Sequence, residues 1–348
     1  MHSIIRTGLH TISLSGMHSL LRPIFGGVGL IFMLHRVRPA QDAAFCPNSH
    51  LEITPEFLAV VLDHLREQNV RIVSMDELHR RLRERDLSQR FACFTFDDGY
   101  RDNQDYALPV MRDHNAPFIV YVASDFAQGT GRLWWVALER IIANAKTIEI
   151  KIGQDRLQID AATVRDKEAA FAQLQDWLHS LPTDQDLQGE ISTLARRYGV
   201  DDAATARELC MSWDELKTFA EHPLVTLGAH TVSHCNLAHE RFELAEQQMR
   251  LSRDRIETAI GRKVRHFAYP YGHKTAAASR EFAIATSLGF DTAVTTRPGM
   301  LFSEHASHLR ALPRISLNGN FQDKRFLPVL TSGTATAIWN GFRRIDAA

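Results

Sequence analysis

Two short stretches hold residue types able to do chemistry together. FTFDDGY, Phe94 to Tyr100, carries the adjacent carboxylates Asp97 and Asp98, and HTVSH sets His230 and His234 four residues apart. Side-by-side acids at the end of an apolar run repel one another, and a nearby dication would offset that repulsion. If the turn after VTLGA is helical, an i, i+4 pair of imidazoles lies on one face about 5 to 6 Å apart, close enough to hold one divalent ion. Asp98 then serves as the third ligand, while Asp97 stays unbound and takes a proton from an activated water. Three protein ligands with one open position are the pattern of a catalytic site rather than a closed structural one, and hydrolysis is the reaction it suits. Taken singly, D-D-G can be a solvated turn and H-x-x-x-H a chance spacing among 17 histidines. Their joint force comes from position, since each follows the C-terminal end of an apolar strand.

The surrounding chain alternates strands with helices. LIFML ends at His35 and FACFTF at Asp97; FIVYVAS follows a helix around Tyr106 to His114, and VTLGAH, HFAYP, TAVTT and LPRISL come later. Thr54 caps a helix with Pro55 at its first position and Phe57, Leu58, Val61, Leu62 and Leu65 on one face. Ser74 with Glu77 predicts a capping box for the helix through Leu78 and Leu82. Strands apolar on both faces and separated by helices imply a covered parallel sheet, closed as a barrel or doubly wound. Residues from about 128 to 212 break the rhythm, with weak strands TIEIKI and RLQI and a helix carrying Phe171, Leu174, Leu178 and Leu181. This segment reads as an insertion on the loop side of the sheet, where it either shapes access to a site or pads the fold.

A chain of 348 residues has room for one large domain or two ordinary ones. Its 40 basic and 41 acidic side chains leave a formal charge of −1, which argues against nucleic acid as a partner. The four cysteines lack C-x-x-C spacing, and Cys93 lies in an apolar strand, so a reducing compartment is expected. The apolar run Leu21 to Leu34 is broken by Arg22, Pro23 and glycines and is too short to span a bilayer. With no cleavable leader pattern, the expectation is a cytoplasmic protein. Ile4, Ile5, Leu9, Ile12 and Leu20 form one face of a predicted helix. That face suits either packing on the domain or a peripheral contact with the inner membrane through residues 1–22.

In this order, FTFDDGY, GAHTVSHCNL and HFAYPYG resemble the polysaccharide deacetylase family, also called nodulation-protein-B-like or carbohydrate esterase 4. Thr95 to Gly99 matches its T-F-D-D-G block, and His230 to His234 with Leu237 its H-T-x-x-H block; the similarity runs from about His35 to Ser316. The resemblance implies an α/β fold, a distorted (β/α)7-type barrel with a mixed helical insertion. It also implies metal-dependent removal of an N-acetyl group from an amino sugar. Residue by residue, Asp97 resembles the general base and Asp98, His230 and His234 the metal ligands. Tyr271 matches the position whose backbone N–H helps hold the oxyanion. Zinc suits such a ligand set, with cobalt, nickel and manganese as alternatives.

Two blocks depart from the family pattern. Ala268 stands where an Arg usually steers the catalytic Asp; Arg314 in LPRIS is expected to take that part, with Arg265 the weaker candidate. The L-x-x-H block that carries the general acid is not recognisable, and His308 lies in the wrong order, so the acid is unassigned. His35 either lines the pocket or is a core histidine. The expected layout is an N-terminal helical segment over 1–28, a barrel domain over 29–320 and a tail over 321–348. The expected substrate is an N-acetylated chitooligosaccharide, exopolysaccharide or envelope-glycan precursor, or a lipid-linked sugar. A glycan-binding protein without turnover and a cyclic amidohydrolase are the rival readings.

Overall fold

A computed structural model describes residues 2–152 and 155–347. Seven parallel strands close into a barrel. In sheet order they are Gly29–Leu34, Leu312–Ser316, Thr292–Pro298, His266–Ala268, Val225–Ala229, Phe118–Val122 and Phe91–Phe96. The last pairs back onto the first, from Gly29 with Phe91 through Leu34 with Phe96. Of the two arrangements left open by the sequence, the barrel is therefore the one formed, and closure leaves these strands without a free edge. A short eighth strand, Arg71–Ile72, pairs beside Phe91 and Ala92, below the point where Phe118–Val122 takes over the same edge.

The strands are apolar on both faces because each face meets a different core. Ile31, Phe91, Cys93, Ile119, Tyr121, Ala268, Val294 and Leu312 share one buried cluster. Their neighbours Leu30, Phe32, Ala92, Phe94, Phe118, Val120, Phe267 and Ala293 pack in a second cluster with the surrounding helices. Side chains alternate along a strand, so the series Phe91, Cys93 continues through Thr95 to Asp97 at the C-terminal mouth. The series from Leu312 likewise leads to Arg314.

The helices start where the sequence places them. Thr54 Oγ1 accepts from Phe57 N at 3.1 Å, and Ser74 Oγ from Glu77 N at 3.2 Å. The expected box at Ser74 is only half formed, because the Glu77 carboxylate accepts from Arg80 and Arg81 instead. After the double aspartate the chain makes a wide helical turn over Asn103–Ala107 before the α-helix Leu108–Asp113.

The N-terminal segment is two helices, His2–Ser15 and Met17–Phe25, broken at Gly16, whose φ is 67°. Leu9 and Ile12 are buried against Phe326 and Val329 of the C-terminal segment. Leu20 falls on the second helix and is 79% exposed, so it does not share their face as the periodicity implied. The side chain of Ile4 lies outside the described residues. Residues 321–347 are largely helical, including Leu327–Thr331 and Thr334–Trp339. No helix among the described residues is long and apolar enough to cross a membrane.

The segment between Val122 and Val225 leaves the barrel at its C-terminal mouth. It contains the helix Trp134–Asn144, the hairpin strands Thr147–Ile152 and Asp155–Asp160, and the helices Val164–His179 and Asp184–Arg197. Leu138, Ile141, Phe171, Leu174, Ile191 and Leu194 build a separate core there, which reaches Tyr100 and Phe126 beside the mouth. Leu181 lies beyond the helix end and only borders this core.

Gly228 lets the barrel close around Tyr121: a Cβ there would lie 2.4 Å from the tyrosine ring and 3.0 Å from the His266 carbonyl oxygen. Gly228→Ala is expected to lower stability by about 1–3 kcal/mol through overpacking, read from urea unfolding.

Candidate active site and metal centre

Asp98, His230 and His234 converge at the mouth, and one potential ligand atom from each lies within 4.8 Å of the others. His234 Nε2 is 3.3 Å and His230 Nε2 3.6 Å from Asp98 Oδ1. A tetrahedral zinc site with bonds of 2.0–2.1 Å separates its ligand atoms by about 3.3 Å, so the trio is close to the required size. Asp98 Oδ1 is buried without a hydrogen bond, which a cation in the trio would remedy. The His230 Nδ1 position is 2.7 Å from the Ala268 carbonyl oxygen; donation there leaves the Nε2 lone pair facing Asp98.

The electrostatics point the same way. Burial, with the charge of Asp97 beside it, pushes the Asp98 carboxyl well above its ordinary range. Burial also lowers both imidazoles, leaving them neutral and able to act as ligands. A bound dication reverses the penalty on Asp98, because it favours the carboxylate. The donor set therefore fits a divalent metal.

The loop holding the two histidines is not the helical turn that the i, i+4 spacing suggested. Residues 230–236 are irregular, with Thr231 at φ 64° and His234 at φ 62°. His234 N donates to Thr231 Oγ1 at 3.0 Å, which fixes the turn. Asp98 at φ 75° and Tyr271 at φ 60° are also left-handed, so four of the eight such non-glycine residues described belong to this one site. Each conformation costs about 1–3 kcal/mol and persists only where surrounding contacts impose it.

Asp97 has the opposite surroundings. Arg314 Nη1 donates to its Oδ1 at 2.7 Å and Nη2 to its Oδ2 at 2.8 Å, a two-pronged pair with both residues buried. The guanidinium is itself fixed by the Thr295 carbonyl oxygen at 2.8 Å and Thr95 Oγ1 at 3.0 Å. Burial pushes Asp97 up, but the Arg314 charge, with His230, outweighs it and holds the carboxyl at about 2. Arg265 is on the outer surface, 3.5 Å from Asp291 and 3.6 Å from Asp76, and does not reach the site.

These groups line a cavity of about 250 Å³ together with His35, Trp134, Trp135, His179 and Tyr271. His35 Nε2 stands 3.9 Å from Asp97 Oδ2, and burial is the main cause that lowers its imidazole to about 4. Of its two sequence readings, His35 thus takes the pocket position. His308 is exposed before the strand Leu312–Ser316 and lines none of this cavity. Tyr271 packs its ring 5.3 Å from His234 and accepts from Trp134 Nε1 at 3.1 Å. Trp134, Trp135 and His179 come from the insertion, and sequence reading did not single them out. All four cysteines are free.

The closed parallel barrel thus sets an Asp, His, His trio beside an Arg-held aspartate at one mouth. Residues 184–293 match the family model described as polysaccharide deacetylase, a span that holds His230 and His234. Among solved structures, the deacetylase PplD of Streptococcus pyogenes, in complex with acetate, is 16% identical, over 84% of this chain and 92% of that one, with a TM-score of 0.55. IcaB from Ammonifex degensii is 18% identical, over 88% and 98%, with a TM-score of 0.54. A de-N-acetylase from Aggregatibacter actinomycetemcomitans is 12% identical, over 84% and 95%, with a TM-score of 0.51. At these identities the likeness is one of fold. No curated protein matches the sequence. Residues 184–293 are thus similar to the polysaccharide deacetylase model, and the barrel shares its fold with solved deacetylases.

Two outcomes test the centre. Zn2+ at about 100 times its Kd is expected to stabilise chelator-treated protein by about 2.7 kcal/mol in calorimetry. Asp98→Ala and His230→Ala should abolish that gain, and Asp97→Asn should keep it. Arg314→Ala is expected to cost about 3–5 kcal/mol in urea unfolding, because it leaves a buried carboxylate unpaired.

Proposed function

We propose that the protein is a metal-dependent N-deacetylase of amino-sugar glycans, hydrolysing an acetamido group to acetate and a free amine. The observation that carries this reading is the division of labour between two adjacent aspartates: Asp98 faces two imidazoles, and Asp97 has both oxygens fixed by Arg314. A binding protein has no use for a carboxylate oriented in this way.

Asp98, His230 and His234 would hold the dication, which when bound supplies Lewis acidity for the amide carbonyl and the attacking water. Zinc is the proposed metal on the strength of the two imidazoles and one carboxylate. Arg314 prevents Asp97 from rotating, so a free lone pair stays directed into the cavity to accept the proton of that water. Water oxygen adds to the carbonyl carbon, and the backbone N–H of Tyr271 is the proposed donor to the resulting oxyanion. As the carbon–nitrogen bond breaks, the nitrogen must gain a proton. That proton is proposed to return from Asp97 through His35, 3.9 Å away. His35 is therefore the proposed acid. The indoles of Trp134 and Trp135 wall the cavity and limit bulk water around these transfers.

The proposed substrates are chitooligosaccharides, exopolysaccharides or envelope-glycan precursors, including lipid-linked sugars, handled in the cytoplasm or at the inner membrane face. Acetate release from N-acetylated chitooligosaccharides and lipid-linked acetamido sugars is the test. Asp97→Asn is expected to reduce kcat by about 10²–10⁴-fold with metal content unchanged, and His35→Ala to act on kcat more than on metal content or KM. Failure of the wild type to release acetate from any of them, with glycan binding intact in Asp97→Asn, would replace catalysis with binding.

A further inference from the structure

The catalytic cavity has a larger neighbour. Thr296 lines both it and a second cavity of about 550 Å³, whose other walls include His273, Lys274, Arg297, Trp339 and Arg343. The strand that ends near Thr296 thus separates two rooms that share a wall. The second room is built by the turn after Tyr271 and by the C-terminal segment, neither of which belongs to the metal trio.

Its charge is distinctive in a chain that is nearly neutral overall. Lys274, Arg297 and Arg343 line it with a single carboxylate, Asp346, so the lining carries two more positive than negative side chains. Lys274 Nζ lies 2.9 Å and Arg297 Nη1 3.5 Å from Asp346 Oδ1. The two cations therefore already converge on an oxyanion carried by the chain's own tail. Arg297 is almost fully buried, anchored by the Ala277 carbonyl oxygen at 2.6 Å, so its charge is fixed in place. Trp339, 63% exposed, also lines this cavity. An indole can cover the apolar face of a sugar ring, and fixed cations beside it select rings that bear an anion.

We propose that this cavity is a subsite for an anionic unit of the substrate, a phosphate or carboxylate group on the sugar or linkage next to the acetamido sugar. The inference rests on the deacetylase reading and narrows its substrate class to acidic glycans and sugar phosphates. The tail carboxylate of Asp346 marks where the anion sits, and a bound phosphate or uronate takes over its partners. Neutral chitooligosaccharides would fill the catalytic cavity but leave the cations unused.

The test compares an N-acetylglucosamine disaccharide with its phosphate monoester and with its glucuronate counterpart, each charged group placed at either terminus. The wild type is expected to show a KM at least about tenfold lower for a charged disaccharide than for the neutral one. The phosphate and glucuronate arms tell which anion is preferred. Lys274→Glu combined with Arg343→Glu, both at exposed positions, should remove that preference while leaving kcat and the neutral KM within about twofold. Equal KM values for neutral and charged disaccharides in the wild type would overturn the proposal, as would equal losses on both in the double variant. Calorimetric binding of the same disaccharides to Asp97→Asn separates the two readings. If no acetate is released but the charged ligands still bind more tightly, the subsite stands without the catalytic reading; if acetate is released and charge makes no difference, the subsite falls alone.

Discussion

Two carboxylates on consecutive residues are buried within the same barrel mouth, and the structure assigns them opposite environments. Asp97 is paired with a fixed guanidinium and stays ionised; Asp98 has no cationic side chain in contact and faces two neutral imidazoles. Without Arg314, both acids would compete for the same proton or the same cation. The pair depends on strand parity, because the inward series that ends at Asp97 and the one that ends at Arg314 come from different strands and meet inside the barrel. Asp98, the next residue, is off that series by alternation; it adopts φ 75° and its carboxylate faces the histidine loop.

Much of this was legible in the sequence. The alternation of apolar strands with capped helices specified a parallel sheet, and seven strands of the kind expected close the barrel. The double aspartate and the spaced histidines read together as ligands of one cation, and the structure brings an atom of Asp98, His230 and His234 within 4.8 Å of one another. Arg314 could be singled out because it lies in a late strand, and the structure places its guanidinium on Asp97. The roles proposed for these side chains go beyond their placement.

Other features had no local signature. A left-handed Thr231 is unfavourable for a β-branched residue and cannot be inferred from HTVSH, so spacing alone suggested a helix that does not form. His35 lies far before the double aspartate in the chain, and only barrel closure between Gly29–Leu34 and Phe91–Phe96 brings it beside Asp97. The break at Gly16 similarly separated Leu20 from Leu9 and Ile12, which a continuous helical period had joined. In each case a single backbone dihedral or a long-range pairing outweighed the pattern of residue types.

The insertion brings its own hydrophobic interior, and that interior reaches the barrel through Tyr100, Phe126, Trp134 and Trp135. Trp135 Nε1 donates to Tyr100 Oη at 2.9 Å, tying the inserted layer to a residue two positions after the double aspartate. The ceiling of the reaction chamber is consequently held up by a different nucleus from its floor. Loosening the upper nucleus would widen the doorway without disturbing Asp98, His230 and His234 beneath, so the entrance and the trio can drift separately over evolutionary time.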